Sequence, residues 1–222
     1  MRISHRFLFI AAVFLTCLIT SNTIAVKVVS FGSFVLPAAI FVFPLSYLFG
    51  DIITEVYGYT WSRRVIWIGF VCNLIFVFFT WVGQYMPAAP FWSGQDAYQA
   101  IFSYTPRLLA SSFLGYLAGS FVNSYILARM KVVTRGRWLW SRTIASTIVG
   151  EGLDTAIFIL FAYWGTPVFS PIMILNHWLV KVGIEVVLTP LTYLVVNSLK
   201  KKESMDPYDT ETNFSPFSMK IE

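Results

Sequence analysis

Five ionisable side chains lie inside two long apolar stretches in the second half of the chain. Glu151 and Asp154 are three residues apart, so on a helix they share one face. His177, Lys181 and Glu185 follow at steps of four residues and would form one polar stripe on the next helix. Carboxylates accept hydrogen bonds, whereas a lysine donates them and supplies the opposite charge. The spacing therefore predicts that Lys181 pairs with Glu151 and Asp154 between helices, or with Glu185 along its own helix.

These charges are too costly to be incidental. Residues 144–164 include nine Leu, Ile, Val or Phe residues, each worth roughly −0.3 to −0.6 kcal/mol for insertion, whereas each central charge costs roughly 2.5 to 3.5 kcal/mol. Two carboxylates cancel that gain, so they must face the interior of a helix bundle. A purely structural ion-pair cluster is the alternative, but ionisable groups inside membranes usually line pathways. We predict that Glu151, Asp154, Lys181 and Glu185 bind substrate and that His177 lies on its path.

A second acidic pair, Asp51 and Glu55, is spaced by one helical turn near the end of an earlier apolar stretch. That stretch also contains Pro37 and Pro44, which cannot donate backbone hydrogen bonds, so we expect a kink and free carbonyl groups lining a cavity. For Asp51, a capping or gating role competes evenly with substrate binding, and we assign the pair to a gate or the substrate path. Asn22 can bind substrate, although a polar bond between helices is its commoner role.

The composition identifies the element type that positions these side chains. Of 222 residues, 57% are hydrophobic and 12% are charged, whereas soluble domains carry about a quarter charged residues. Apolar stretches at residues 7–29, 34–56, 65–85, 107–128, 144–164 and 172–199 are each long enough to cross about 30 Å of hydrocarbon as a helix. We predict an all-α integral membrane protein with about six transmembrane helices in residues 1–199. The polar residues 200–222 are predicted to form a disordered cytoplasmic tail.

The basic residues predict the orientation of this bundle. Lys and Arg cluster before the first stretch, after the second, between the fourth and fifth, and after the sixth. Because positive loops stay cytoplasmic, both termini are predicted to be cytoplasmic, in a multi-pass protein of the inner (cytoplasmic) membrane. The first stretch lacks a convincing cleavage site and is interpreted as a retained helix surrounded by lipid. The cations form no single binding face, so no nucleic-acid partner is predicted.

Motifs for enzymes and cofactors are absent from the sequence. It contains no zinc-protease, nucleophile-elbow or phosphate-loop pattern, and its two histidines, His5 and His177, cannot build a histidine-rich metal site. No cofactor and no metal are therefore predicted. The functional classes that remain are a carrier, a channel and the membrane part of a multi-subunit importer.

Several segments resemble one transporter family. The run 44–59, PLSYLFGDIITEVYGY, is followed by RRVIW at 63–67, and with Ser21-Asn22, residues 142–158 and residues 181–190 it is similar to the queuosine precursor transporter family of the vitamin-uptake transporter group. The resemblance covers nearly the whole membrane region. It implies import of 7-deazaguanine bases, namely 7-cyano-7-deazaguanine, 7-aminomethyl-7-deazaguanine or queuine, for tRNA modification.

The predicted polar residues suit such a cargo. A guanine-like edge presents an N1–H and an amino group that carboxylates can accept, while aromatic side chains stack on the ring. We expect Glu151 and Asp154 to accept these donors, Asn22 and Lys181 to meet the carbonyl edge, and Asp51 with Glu55 to shape the inner gate. A substrate-capture subunit that needs a separate ATP-driven energy-coupling module is an alternative, as is a membrane-embedded enzyme. A homo-oligomer also stays open.

Overall fold

The computed structural model describes residues 4–31, 34–103, 106–167 and 169–218. These residues form six long helices, one short helix and a two-stranded hairpin: α1 His5–Ile24, β1 Val28–Phe31, β2 Phe34–Pro37, α2 Phe43–Tyr57, α3 Tyr59–Tyr85, α4 Gln95–Phe102, α5 Pro106–Val133, α6 Leu139–Tyr163 and α7 Pro171–Glu203. Within the described residues, α1, α3, α6, α7 and the combined segment Ala38–Tyr57 are long and apolar enough to cross a membrane. The prediction of an all-α membrane protein is thereby confirmed.

The region around the two prolines departs from a simple span. Instead of continuing to residue 29, α1 ends at Ile24, and β1 and β2 pair in antiparallel register with Val28 opposite Pro37. A 3₁₀ turn, Ala38–Phe41, then leads into α2. Pro44 sits in the first turn of α2, where its missing N–H leaves no helical hydrogen bond unmade. The predicted kink is therefore a hairpin and turn that shorten the second helix.

The start of α1 and the end of α7 lie together at one end of the bundle, which we call the terminal face. Ser4 accepts a hydrogen bond from the Phe7 N–H and donates one to Glu203 Oε1 at 2.9 Å, while Arg6 pairs with Glu203 at 3.3 Å. The opposite end, which we call the cavity face, carries the hairpin, α4 and the start of α7. Which face is cytoplasmic stays a prediction from the charge pattern.

Helices α5 and α6 pack closely because small residues line their contact. A Cβ added to Gly119 would lie 2.7 Å from Asp154 Cβ and 2.8 Å from the Gly150 carbonyl oxygen, and one added to Gly115 would lie 2.6 Å from Asp154 Oδ1. Small residues at four-residue spacing allow this close approach of helix backbones. The contact places Asp154 deep in the bundle.

The segment after α7 is packed against the terminal face, which differs from the predicted disordered tail. The Asp209 carboxylate accepts hydrogen bonds from the Tyr59 N–H at 3.3 and 3.2 Å, at the start of α3. Arg63 donates to the carbonyl oxygens of Asn213 and Ser215 at 2.6 and 2.9 Å. The helix α7 itself extends through Glu203. Polar composition suggested disorder, but the folded bundle offers these residues unpaired donors at helix ends.

Candidate functional site

A cavity of about 370 Å³ lies within the cavity-face half of the bundle, a volume in the range of small-molecule sites. All six long helices contribute to its wall, and α2 does so through Phe43, which closes one side. Most of the wall is apolar and includes several aromatic rings: Phe43, Phe76, Phe113, Phe158 and Tyr163. The polar side chains that line it are Ser21, Asn22, Ser103, Ser112, Asp154, Thr155, His177 and Lys181. Flat rings and a few polar groups can hold a planar heteroaromatic molecule.

Lys181 joins α7 to α6 at the wall of this cavity. Its Nζ lies 2.7 Å from Glu151 Oε2 and 2.9 Å from Asp154 Oδ2. The same Nζ lies 4.3 Å from the centre of the Phe43 ring, which adds a cation–π contact. The predicted pairing of Lys181 with both α6 carboxylates is present in the structure. It follows from the i, i+3 spacing, which turns both carboxylates toward one cation.

The two glutamates of the predicted site lie behind this wall. Glu151 is 1% exposed and does not line the cavity, so it forms its ion pair with Lys181 from behind the cavity wall. Glu185 is also 1% exposed, lies outside the cavity wall, and makes no ion pair with Lys181 among the described residues. The alternative pairing along α7 is absent because the two carboxylates of α6 occupy Lys181.

Asn22 and His177 both line the cavity. The Asn22 amide nitrogen donates to Asn73 Oδ1 at 2.8 Å, and Ser112 Oγ donates to Asn22 Oδ1 at 3.3 Å. Asn22 thus connects α1 to α3 and α5 while it faces the cavity, which fits both roles weighed for it. His177 is one turn from Lys181 toward the cavity face.

Glu55 is the centre of an ionic cluster at the terminal face, far from the cavity wall. Its carboxylate receives Arg142 Nε and Nη2 at 2.9 and 2.8 Å, with Lys200 Nζ at 2.5 Å and Lys131 Nζ at 3.6 Å. Asp206 adds a second carboxylate, at 2.6 Å from Lys131 and 2.8 Å from Lys200. We call these five residues the Glu55 cluster. It ties α2, α5, α6, α7 and the tail together.

Asp206 is the member of the Glu55 cluster that lies beyond the helices. Partial burial would raise its pKa, but hydrogen bonds from Lys131 and Lys200 outweigh that effect and hold the pKa below its ordinary value. Asp206 is therefore an anion at neutral pH and balances part of the charge of the two lysines.

Asp51, the other predicted gate residue, lies one turn from Glu55 toward the cavity. It is completely buried, and its Oδ1 accepts a hydrogen bond from Asn123 Nδ2 at 2.5 Å. Neither Asp51 nor Glu55 lines the cavity. Asp51 thus lies between the cavity and the Glu55 cluster, and a gate role for the pair stays a prediction.

Several residues that shape the site were not identified from the sequence. Phe43 and Ser112 carry no signal that separates them from other aromatic or small residues. Asn73 and Asn123 are polar residues inside long helices, and that position is itself a signal for hydrogen bonds between helices. Arg142 belongs to a basic loop that predicts orientation and to a segment that carries the family resemblance, but nothing in the sequence shows that it folds back onto Glu55.

Comparisons with known proteins agree with this architecture. Residues 37–195 match the family described as "Putative vitamin uptake transporter". The chain is 28% identical over 158 residues to the "Probable queuosine precursor transporter" of Bacillus subtilis (strain 168), covering 69% of this chain and 68% of that protein. No solved structure matches the chain. The family match spans the helices that carry Asp51, Glu55, Asp154 and Lys181, and the chain therefore belongs to the vitamin uptake transporter family.

Proposed function

We propose that this protein imports queuosine precursors, 7-deazaguanine-type bases, across the inner membrane. The observation that carries the proposal is the aromatic cavity whose wall contains the Lys181–Asp154 ion pair. The Bacillus subtilis relative, named as a transporter of queuosine precursors, supports the substrate class.

The chemistry of the pair suits a guanine-like edge. An ammonium group has three N–H donors, and in this structure two of them are directed at Glu151 and Asp154, which leaves one for a substrate carbonyl. An ionised carboxylate has about four acceptor positions, so Asp154 can hold Lys181 and still accept a base N–H and amino group. Glu151 keeps Lys181 oriented, and Asn22 offers a further polar contact. The phenylalanine rings stack on the base.

The position of the Glu55 cluster suggests how passage is controlled. The cavity lies toward the cavity face, and the cluster closes the bundle between the cavity and the terminal face. Release of substrate at the terminal face requires these ion pairs to separate. Asp51 and Glu55 are accordingly assigned to the inner gate, and His177 is assigned to the substrate path on the cavity-face side of Lys181.

The direct test is uptake of labelled 7-cyano-7-deazaguanine by cells that cannot make it and that express this chain as their only route of entry. Asp154→Asn and Lys181→Met should each lower uptake at least about tenfold, because each leaves buried polar groups of the site unpaired. Two exposed residues provide matched controls: Asp96→Asn and Lys202→Met should retain uptake. Normal uptake by both cavity variants at normal abundance would contradict the assigned site.

Competition tests the recognition of the base edge. Guanine-type 7-deazapurines should inhibit uptake strongly, whereas adenine-type analogues, which present a different pattern of donors and acceptors, should inhibit poorly. Equal inhibition by the two types would refute recognition by Asp154. The absence of any uptake would refute the substrate class.

Reconstitution separates a self-sufficient carrier from the alternatives. Purified protein in lipid vesicles should move the labelled base without any added subunit. Binding without movement would instead assign the chain to substrate capture for an energy-coupling module, and conversion of the base would assign it to an enzyme.

A further inference from the structure

Two buried carboxylates lie between the cavity and the Glu55 cluster without a cation. Glu185, one turn beyond Lys181 on α7, is 1% exposed, and neither of its carboxylate oxygens has a hydrogen-bond partner among the described residues. Asp51, on α2, is fully buried and has one oxygen bonded to Asn123, while the other is unpartnered in the described part of the chain. Helix α2 packs against both α5 and α7. The two carboxylates thus occupy one layer of the bundle.

The groups that face this layer are mostly acidic. Glu151 of α6 repels Glu185, and Glu185, Glu55 and Glu151 all repel Asp51. Helix α5 supplies only the neutral Asn123, and the nearest cation of α7, Lys181, is held by two carboxylates of α6. An isolated ionised carboxylate in such surroundings is strongly unfavourable and binds a proton instead.

The other unpartnered polar atoms around this layer are mostly acceptors, with the Tyr47 hydroxyl as a donor. Asn123 Oδ1 and Glu151 Oε1 are buried and unpartnered within the described ranges. Next to Gly50, a void of about 10 Å³ is lined by Asn123 and the hydroxyl-bearing residues Ser46, Tyr47, Ser120 and Ser124, together with the apolar Phe14 and Ile66. That is close to the space that one water molecule occupies, in a lining that can pass hydrogen bonds. Acceptor oxygens in excess are satisfied by protons or by a cation.

Protonation is the simplest way to satisfy the acceptor oxygens of this layer. The described residues contain no group of three or more His, Cys, Asp or Glu side chains placed to hold a metal ion. Protonation instead needs only one carboxyl group at a time, and it turns an unpaired acceptor into a donor for a neighbouring acceptor.

We propose that Glu185 and Asp51 form a proton-carrying site that couples base import to the inward movement of protons. The inference rests on the proposed function, because it concerns what drives the same carrier. Protons enter from the cavity face, bind the carboxylates of Glu185 and Asp51 as O–H groups, and leave at the terminal face when the Glu55 cluster opens. The protonated, neutral layer permits the helices to rearrange, and the deprotonated layer resets after release. No bond other than O–H is made or broken.

The experiment uses the full chain in vesicles containing a pH-sensitive dye, with the labelled base supplied outside. With an outside pH lower by about one unit, one coupled proton supports up to about tenfold accumulation of base, and two support about a hundredfold. Addition of base should acidify the interior, and a protonophore should abolish accumulation. Replacing the pH gradient by a sodium gradient should give no accumulation. Accumulation driven by sodium, or transport with no proton movement, would overturn the proposal.

Two variants localise the coupling. Glu185→Gln and Asp51→Asn mimic the protonated state, so base-driven acidification and accumulation should both be lost. Exchange of external labelled base for internal unlabelled base needs no net proton transfer, so the loss of accumulation in each variant is measured relative to the exchange that the same variant retains. The matched control is Glu211→Gln, an exposed tail carboxylate that should leave coupling intact. Full coupling in both neutral variants would refute the assignment.

The exchange assay also separates the two proposals. Exchange without proton coupling in the native chain would refute the proton site and leave the import function standing. Absence of exchange in the native chain would refute the import function and, with it, this inference. If one variant fails to fold, the native chain's proton movement and the other variant still decide the question.

Discussion

Replacing Glu55 by glutamine should weaken the contact between four helices at the terminal face. The substitution preserves the size of the side chain and removes the charge that Arg142, Lys131 and Lys200 share. Both lysines keep Asp206 within 2.8 Å. Arg142 keeps no carboxylate partner among the described residues, and its remaining acceptors are the Arg137 carbonyl oxygen at 2.7 Å, Thr134 Oγ1 at 3.5 Å and the neutral amide oxygen of the new glutamine.

The cost should therefore arise mainly at Arg142, whose side chain is 1% exposed. Removal of one partner from a buried ion pair costs about 3 to 5 kcal/mol, because the remaining charge stays buried without compensation. Glu203→Gln is the matched control at the same face, since it breaks the Arg6–Glu203 pair, in which the Arg6 side chain is 50% exposed. An exposed pair of this kind contributes at most about 1 kcal/mol.

The measurement is the free energy of unfolding of the purified variants in detergent, from denaturant titration followed by tryptophan fluorescence. Glu55→Gln should be destabilised several times more than Glu203→Gln, and the double variant Glu55→Gln with Arg142→Met should recover a large part of the loss. Equal, small effects of the two single variants would refute the view that the Glu55 cluster holds the terminal face closed. A double variant no more stable than Glu55→Gln would show that Arg142 is not where the cost arises.

Three further predictions concern packing, acidity and topology. Gly119→Ala should destabilise the protein by about 1 to 3 kcal/mol, because the added Cβ would clash with backbone and side-chain atoms of α6. A Cβ added at Gly183 has no atom within 4 Å, so Gly183→Ala should be neutral or stabilising in the same unfolding measurement. The pKa of Asp206 is lower in the folded protein than in the unfolded chain, where it is near 3.9. Its stabilising effect is therefore present above about pH 3.9 and is lost as the pH falls through the folded pKa. The free energy of unfolding, measured from pH 2 to about 6, should lack this acid-side decrease in Asp206→Asn. In cells, a single cysteine at Ser93 should react with an impermeant thiol reagent from outside and one at Lys202 should not, and the reverse labelling would invert the orientation drawn from the positive charges.

The sequence alone determined the class of the protein and one central contact of its site. Composition and span length predict a bundle of membrane helices, because about 30 Å of hydrocarbon admits few other structures. The pairing of Lys181 with Glu151 and Asp154 was also predictable. Two carboxylates on one helical face inside a membrane require a cation, and Lys181 is the cation placed at a similar depth on the next helix.

Only the tertiary structure decided which partner each buried charged side chain pairs with. Lys181 could pair along α7 with Glu185 or across to α6, and close packing of α5 and α6 around Gly119 positions Asp154 for the second choice. Glu185 is consequently left without a cation, a consequence that spacing cannot show. The partners of Glu55 lie 76 to 145 residues away along the chain.

The tail illustrates the same limit for disorder predictions. Its residues have no apolar periodicity, and the hydrogen bonds among them are short-range, such as that from Thr212 Oγ1 to Asp209 Oδ1 at 2.8 Å. They become ordered because the folded bundle presents the free N–H group at the start of α3 and the guanidinium of Arg63, which Asp209 and the carbonyl oxygens of Asn213 and Ser215 satisfy. Local sequence fixes where helices form, since apolar length and spacing act over a few turns. Long-range pairing of buried charges depends on how the helices pack, because each charge takes the partner that the packed bundle brings within hydrogen-bonding distance.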